Sequence, residues 1–399
     1  MNARVTTREP GVQWPPVRVL ISGSRLLFID NLRWTMIILV ISMHAADTYS
    51  PLGNWYFVDR RPLSTVALLT FAAWQMYLQC FFMGLLFYIA GLFVPSSFDR
   101  KGAGRFIRDR AFRLGLPVLL YMFCVGPVTE YYLAHSWTST EPTSFANEWI
   151  KHIRNGQFLQ ENGPLWFCLA LLIFSTVYAA LRAFRSEDPA SGVKADAPGT
   201  GKVIAFAIAM GALTFLVRVG RPEPVLNMHL GDFPQYILLF SAGILSARLR
   251  WLPELSFEKG MRWLAVTLPA GFAAWLTLLV AGGALRGRGA DFSGGWHWQS
   301  AALCFWESFT CVALCFGLLV FFRERFDSQG RFVRFLSENA FSVYVFHPPI
   351  VIVAARILSA VSWYPLIKFV TLTGAGVVAS FALSAAVFRR IPWLRALLH

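Results

Sequence analysis

The sequence predicts an all-α, polytopic membrane protein with about ten transmembrane helices. Of its 399 residues, 56% are hydrophobic and 15% are charged, whereas a soluble domain carries about 25% charged residues. The mean hydropathy is +0.51, and long apolar runs follow one another along the whole chain. Because no long polar segment separates them, we expect a single transmembrane domain over residues 26–388, between an N-terminal segment 1–25 and a tail 389–399.

Ten apolar runs are long enough to cross a bilayer, which requires about 17–25 helical residues. The sixth run is short, and the second is long enough to tilt or to extend beyond the bilayer. The runs lie near residues 26–46, 65–94, 111–134, 164–184, 203–219, 234–249, 263–285, 298–322, 340–360 and 365–388.

The Lys and Arg residues are distributed unevenly between the two sets of loops. With ten spans both termini lie on one side, and the loops of that side carry 25 Lys and Arg against 8 in the opposite set. The positive-inside rule therefore predicts that both termini are cytoplasmic. This topology accounts for the formal charge of +14 without nucleic acid as a partner. The six Cys all lie inside apolar runs, which favours buried small side chains over a metal site or a disulfide.

The first apolar run carries two ionisable side chains on one face. Arg33 and His44 are eleven residues apart, so a helix places them in line, roughly 16 Å apart along its axis. Such groups at membrane depth are costly and mark functional sites. A neutral imidazole is the usual general base near neutral pH, so His44 is a candidate catalytic base. The alternative is a hydrogen-bonded His of the outer membrane interface.

Two acids flank this pair. Asp30 is placed to form an ion pair with Arg33 three residues later, and that pair is the structural alternative to a functional Arg33. Asp47 follows His44 by about one helical turn, where it would either orient the imidazole or face water. We expect Asp47 to face water.

The loop 100–117 is rich in arginine. Arg105 and Arg108 are three residues apart, as are Arg110 and Arg113, so each pair shares a helix face. Arginine forks bind phosphate oxygens in a bidentate manner, and coenzyme A presents a pyrophosphate and a ribose phosphate. The loop is thus a candidate donor-binding site. The alternatives are an ordinary positive-inside loop and contact with lipid headgroups.

Three further residues lie in apolar runs. Glu307 is an intramembrane acid that either meets His44 or Arg33 in a functional site or pairs with a buried arginine such as Arg356. His347 precedes two prolines, which leave helix carbonyls without donors; we expect its ring to satisfy one of them rather than to act in catalysis. Trp166 begins the fourth run at the outer interface, where aromatic residues are common.

Several short motifs, in this order, resemble the acyltransferase-3 family of integral membrane O-acyltransferases. Asp30-x-x-Arg33 followed by His44 resembles the first motif, and Arg110-x-x-Arg113 before Leu-x-x-Pro resembles the second. The segment FFMGLLFYIAG, in which Gly84 and Gly91 permit close helix approach, resembles the aromatic-rich motif. The stretch GPLWFCLALL, which contains Trp166, and the spaced set Ser337, Phe341, Tyr344 and His347 complete the resemblance.

The resemblance implies an enzyme of the cytoplasmic (inner) membrane. Acyl-coenzyme A would be the co-substrate, no metal would be needed, and an acetyl or succinyl group would pass to a hydroxyl group of an envelope glycan or another acceptor outside the cytoplasm. His44 would deprotonate the acceptor, and Arg33, which matches an essential family residue, or a nearby dipole would stabilise the oxyanion. The layout is similar to the branch that succinylates osmoregulated periplasmic glucans, where glycan-synthesis proteins are possible partners.

Two other function classes remain open at this point. A proton- or anion-coupled secondary transporter would use Arg33, His44 and Glu307 as its pathway. A non-catalytic membrane scaffold or sensor would present the longest outer loop, 135–162, to a partner.

Overall fold

We describe a computed structural model of the chain for residues 26–53, 55–59, 61–134, 144–184 and 195–398. Within these ranges the chain is helical and forms no β-strand, which confirms the predicted all-α class. The expected N-terminal segment 1–25, residues 135–143 of the outer loop, and residues 185–194 of the inner linker lie outside these ranges.

Twelve helices organise the described residues, and we number them in chain order. The long helices form one membrane bundle, whereas α4 and α12 are short. They are α1 Leu27–Tyr49, α2 Thr65–Lys101, α3 Ala103–Ala134, α4 Phe145–Arg154, α5 Trp166–Ala183, α6 Thr200–Val219, α7 Phe233–Leu249, α8 Phe257–Ala281, α9 Trp298–Arg325, α10 Arg331–Ser359, α11 Pro365–Ala386 and α12 Pro392–Leu398.

Nine helices of the described chain are long and apolar enough to cross a membrane, so the protein is a multi-pass membrane protein. The sixth predicted run is helical as α7, but it has only 17 residues, or roughly 26 Å of helix. The predicted total of ten spans and the predicted cytoplasmic termini remain predictions.

α7 packs closely along α2 because both helices carry glycine at the contact. A Cβ atom on Gly91 would overlap the backbone carbonyl of Phe240, and one on Gly243 would overlap that of Tyr88. Gly84 faces the side chains of Leu239 and Gln235 in the same way. The close helix approach expected at Gly84 and Gly91 is therefore present.

α3 is one unbroken helix that contains wider, π-helical turns. Three segments within it are π-helical, at Ala111–Gly115, Tyr121–Val125 and Thr129–Ala134, and such turns recur at functional sites. The helix starts at the arginine-rich segment and carries Tyr121 and Glu130 further along, so it runs beside both ends of α1.

α1 lies inside the bundle, against α2, α9, α10 and α11. Phe28, Ile29 and Leu32 are buried near its first turn, and Ala45 and Ala46 are buried near its last. Because α1 is one unbroken helix, its two ends define two ends of the bundle. We call them the Arg33 end and the His44 end.

Candidate active site

A cavity of about 480 Å³ opens at the His44 end of the bundle. It extends along α1 from Asp47 to Val40 and is bounded on other sides by α2, α3, α10 and the loops before α5 and α7. Its wall combines one imidazole of α1, four carboxyl groups and several aromatic rings. These are His44; Asp47, Glu130, Glu161 and Asp232; and Trp55, Tyr56, Trp166, Tyr236 and Tyr344.

His44 is held by a carboxylate on its own helix. Nδ1 of His44 lies 3.3 Å from Oδ2 of Asp47, and the amide of Gln75 on α2 donates to Oδ1 of Asp47 at 2.7 Å. A carboxylate cannot donate, so Nδ1 carries the proton of the neutral ring and Nε2 keeps its lone pair. This chain of three residues, the Gln75–Asp47–His44 relay, has the arrangement of a base oriented by an acid.

The expectation that Asp47 faces water was wrong. Asp47 is only 5% exposed, because Gly53 of the following loop lies directly against its side chain. Gln75 is 4% exposed and satisfies the carboxylate oxygen that His44 does not contact. The carboxylate is thus enclosed by polar partners rather than by solvent.

Two rings fix the plane of the His44 imidazole. Trp55 stacks on its face, with ring centroids 3.8 Å apart and planes inclined by 13°. The ring of His347 is nearly parallel, with its centroid 5.3 Å from that of His44 and 6.5 Å from that of Trp55. These three separations form a right angle at His44, so Trp55 covers the face of the imidazole and His347 lies beside its edge.

The loop that carries Trp55 is anchored at its other end. Nζ of Lys368, on α11, lies 2.7 Å from Oδ2 of Asp59, and the lysine side chain is fully buried. The backbone N–H of Asp59 donates to the carbonyl of Thr48 at 2.8 Å, and Arg61 donates to the carbonyl of Ser359 at 3.1 Å. These contacts fix the loop, and with it the ring of Trp55, against α1.

Two loops that are joined by hydrogen bonds from side-chain amides form the opposite wall of the cavity. Asn227 donates to the side chain of Asn162 and to the carbonyl of Gly163, both at 3.1 Å. Asn162 in turn donates to the carbonyl of Leu226 at 2.8 Å. The loops before α5 and α7 are therefore tied together, and this fixes the position of Trp166 at the start of α5.

Glu307 forms an ion pair away from His44. Its Oε2 lies 2.8 Å from Nη1 of Arg218, and Nη2 of the same arginine lies 2.6 Å from Oδ1 of Asp232. The alternative of an ion pair with an arginine is therefore present, but its partner is Arg218 and not Arg356, which donates to the carbonyls of Leu133 and Ala134. Within the described residues the cavity wall includes Asp232 but not Glu307, so Glu307 has a supporting position behind the wall.

At the other end of α1, Arg33 joins the arginines of α3. Arg33 lies 3.4 Å from Asp30, as the structural alternative anticipated, and its guanidinium covers the ring of Phe93 at 4.9 Å. Arg110 is half-buried and is close enough to Arg33 and Arg113 for their charges to repel. Such a cluster of like charges favours a bound anion.

The four arginines of the predicted donor site are not equivalent. Arg105, Arg108 and Arg113 are exposed, whereas Arg110 is half-buried and lies near Arg33. The roughly 16 Å of helix between Arg33 and His44 prevents Arg33 from contacting an oxyanion beside His44. Its role in oxyanion stabilisation therefore stays a prediction that this separation does not favour, whereas its place near Arg110 suits contact with an anion.

The remaining predicted residues lie around the cavity. Trp166 and Tyr344 line it, and the Tyr344 hydroxyl donates to the carbonyl of Pro164. His347 is fully buried, with Nδ1 2.9 Å from the carbonyl oxygen of Tyr344, which Pro348 leaves without a helix donor. The ring thus makes the kind of contact that the sequence suggested, and its Nε2 has no hydrogen-bond partner among the described residues.

Sequence reasoning missed Trp55, Gln75, Glu130, Glu161 and Asp232 as site residues. Gln75 had a detectable signal, because an amide in an apolar run requires a buried partner. The other four lie in loops or near helix ends, where polar and aromatic residues are common and carry little positional information.

Comparison with known proteins identifies the family of the chain. The model of a family described as an acyltransferase domain, acyltransferase-3, matches residues 26–389, nearly the whole chain. No curated protein and no solved structure matches the chain significantly. The family match covers α1 with His44, the arginines of α3 and every helix that borders the cavity. The chain therefore belongs to the acyltransferase-3 family and is a membrane acyltransferase.

Proposed function

We propose that this acyltransferase moves an acyl group from coenzyme A to a hydroxyl group of an envelope glycan or another acceptor outside the cytoplasm. His44 is the general base. The observation that carries the proposal is the Gln75–Asp47–His44 relay, which presents one lone pair of a neutral imidazole at the wall of a polar cavity.

The reaction follows from the tautomer that Asp47 selects. Nε2 of His44 accepts the proton of the acceptor hydroxyl as its oxygen attacks the thioester carbonyl. The new C–O bond forms, the C–S bond breaks, and the proton passes from Nε2 to the departing sulfur to give free coenzyme A. The Asp47 carboxylate stabilises the transient imidazolium, as in other acid-oriented histidine bases.

The donor enters from the Arg33 end. Arg33, Arg110 and Arg113 bind its phosphates through charge-assisted hydrogen bonds, and no metal is required for this binding. Pantetheine has the length of about four extended residues, roughly 14 Å, and the two ends of the site are roughly 16 Å apart along α1. The cavity already extends down α1 to Val40, so the thioester reaches His44 without a covalent relay.

The arginine excess orients the enzyme in the membrane. The enzyme lies in the inner membrane. By the positive-inside rule its Arg33 end and both termini face the cytoplasm. The His44 end then opens to the outer side, where an acceptor delivered by glycan-synthesis proteins meets the rings of Trp55 and Trp166. Acetyl and succinyl groups are the two acyl groups that this proposal admits.

The transporter alternative has no observation in its favour. It requires Arg33, His44 and Glu307 to form one pathway, but Glu307 is bound to Arg218 and Arg33 lies three helical turns from His44.

The test is a comparison of wild type with His44→Gln in nanodiscs. Thiol release from acetyl- and succinyl-coenzyme A is followed with and without a gluco-oligosaccharide, and coenzyme A binding is measured separately. We expect His44→Gln to lower transfer by about 10²–10⁴-fold and to leave binding unchanged. His297→Gln is the control, because that histidine is 39% exposed and pairs with Asp291 outside the cavity. Equal transfer by wild type and His44→Gln refutes the assignment of the base.

A further inference from the structure

The cavity at the His44 end is acidic. Four carboxyl groups line it, and among its described wall residues there is no lysine or arginine. The carboxyl groups come from separate elements of the fold, on α1, on α3 and in the loops before α5 and α7. They are Asp47, Glu130, Glu161 and Asp232.

The charges next to the cavity do not cancel this acidity. Arg218 is shared by two carboxyl groups, Asp232 and Glu307, so its single positive charge does not belong to Asp232 alone. Asp47 has the imidazole of His44 and the amide of Gln75 as partners, and no lysine or arginine pairs with it among the described residues.

Glu161 adds a further negative charge. It lies 2.8 Å from Nε2 of His152, and burial lowers the pKa of His152 below its usual range. The imidazole is therefore neutral at pH 7 and does not cancel the charge of the glutamate. His152 itself is only 2% exposed, so the pair fixes the loop before α5 against α4.

The rest of the wall includes an imidazole, amide side chains and aromatic rings. The imidazole is that of His229, the amides belong to Gln79, Gln160 and Asn227, and the rings include Trp55 and Trp166. Amides and carboxylates both accept hydrogen bonds from hydroxyl groups, and flat rings pack against the apolar faces of sugars.

Resting on the proposed function, we propose that this cavity selects its substrates by charge. It accepts an uncharged acyl group, such as acetyl, and an acceptor that bears hydroxyl groups but no negative charge. A succinyl thioester would bring its free carboxylate into the same cavity as the reacting carbonyl, next to Asp47. The repulsion between like charges there disfavours succinyl transfer and acidic acceptors.

The acyl group is tested by comparing acetyl- and succinyl-coenzyme A as donors for wild type in nanodiscs. We expect kcat/KM for acetyl transfer to exceed that for succinyl transfer by about tenfold or more, the effect of one like charge at a distance of several ångströms in a partly screened site. The ratio should decrease several-fold when salt is raised from about 0.05 to 0.5 M.

A matched pair of variants locates the effect in the cavity. Glu161→Gln removes one negative charge from the wall and should raise succinyl transfer relative to acetyl transfer by several-fold. Glu148→Gln makes the same change on the neighbouring helix α4, where Glu148 pairs with Lys151 away from the cavity, and should leave the ratio unchanged. A ratio that neither variant alters, or a preference for succinyl, overturns the inference.

The acceptor is tested by a binding measurement that needs no turnover. Calorimetry compares a neutral gluco-oligosaccharide with the same chain oxidised at C6 to glucuronic acid. We expect the acidic form to bind at least about tenfold more weakly in low salt. Equal affinities, or no binding of either, overturn the charge selection even if acyl transfer occurs. Selective binding without thiol release from either donor overturns the proposed reaction and supports the selectivity of the cavity.

Discussion

Oδ2 of Asp47 lies 3.3 Å from Nδ1 of His44, about one helical turn further along α1. Because both residues belong to one unbroken helix, the base and the acid that orients it are placed by local helix geometry alone. Tertiary structure supplies only the third member, Gln75 on α2, and the cover that Gly53 provides. The relay therefore needs few long-range contacts to be correctly built.

Replacement of Asp47 by Asn should abolish most of the activity. An amide that donates to Nδ1 holds the ring in the tautomer whose Nε2 carries a proton and cannot act as a base. We expect kcat to fall by about 10³–10⁴-fold, as in other acid-oriented histidines, while the Kd for coenzyme A is unchanged. Asp291→Asn is the control, because Asp291 pairs with Arg288 outside the cavity. A kcat within threefold of wild type for Asp47→Asn would show that the relay is not used.

Replacement of Gly53 by Ala should have a similar but smaller effect. A Cβ atom at this position would overlap the Asp47 side chain, so the carboxylate must shift from the position in which it contacts both His44 and Gln75. A 1 Å displacement of a catalytic group costs about 10²-fold in rate, and we expect a reduction of kcat of about tenfold or more. Gly289→Ala, which adds a methyl group with no heavy atom within 4 Å, should match wild type in the same thiol-release assay. Full activity of Gly53→Ala would mean that the loop yields instead of Asp47.

The limits of sequence prediction are visible at this relay. The helical period of α1 placed Arg33 and His44 on one face, and it also placed Asp47 beside His44. It could not decide whether Asp47 faces water, because that depends on Gly53 in a loop and on Gln75 in another helix. Contacts between distant segments are set by packing. The periodicity of a single sequence predicts local structure but not these contacts.

The arginine-rich segment illustrates the same limit in a different way. Spacing predicted two pairs of arginines on α3, and hydropathy predicted the apolar run that follows them. The proximity of Arg110 to Arg33 depends on how α3 lies relative to α1, and the π turn at Ala111–Gly115 changes the helical period at that place. Sequence spacing therefore identified the cluster but could not rank its members.

The structure predicts different roles for two neighbouring arginines of α3. Arg110 is half-buried near Arg33, whereas Arg108 is exposed. Arg110→Gln removes a charge-assisted phosphate contact and should weaken coenzyme A binding by about tenfold or more. Arg108→Gln makes the same chemical change two residues away and should weaken it less than threefold. Calorimetric titration of both variants with coenzyme A at constant salt checks this, and equal effects would indicate a diffuse positive surface rather than a site.

The buried ion pair between Lys368 and Asp59 should control the stability of the loop that carries Trp55. The Lys368 side chain is 0% exposed and that of Asp59 is 14% exposed, so Lys368→Met removes the buried cation of Asp59 and leaves Arg61, whose Nε lies 3.3 Å from Oδ1, as its remaining cation. Breaking a buried pair costs about 3–5 kcal/mol where it leaves an uncompensated charge. With Arg61 in place we expect a smaller loss, seen as a lower temperature of thermal inactivation together with reduced kcat, since Trp55 loses its anchored position on His44.

A double-variant cycle separates the ion pair from simple packing. Lys368→Met combined with Asp59→Leu replaces both charges by apolar groups and should recover most of the lost stability, because an apolar pair of similar volume is often as stable as a buried ion pair. The exposed pair Arg389 and Glu338, 3.5 Å apart with the Glu338 side chain 39% exposed, is the control, and Arg389→Gln should change stability by less than about 1 kcal/mol. If the double variant is no more stable than Lys368→Met, the lysine acts through the shape of its side chain, and the charge of Asp59 does not hold the loop over His44.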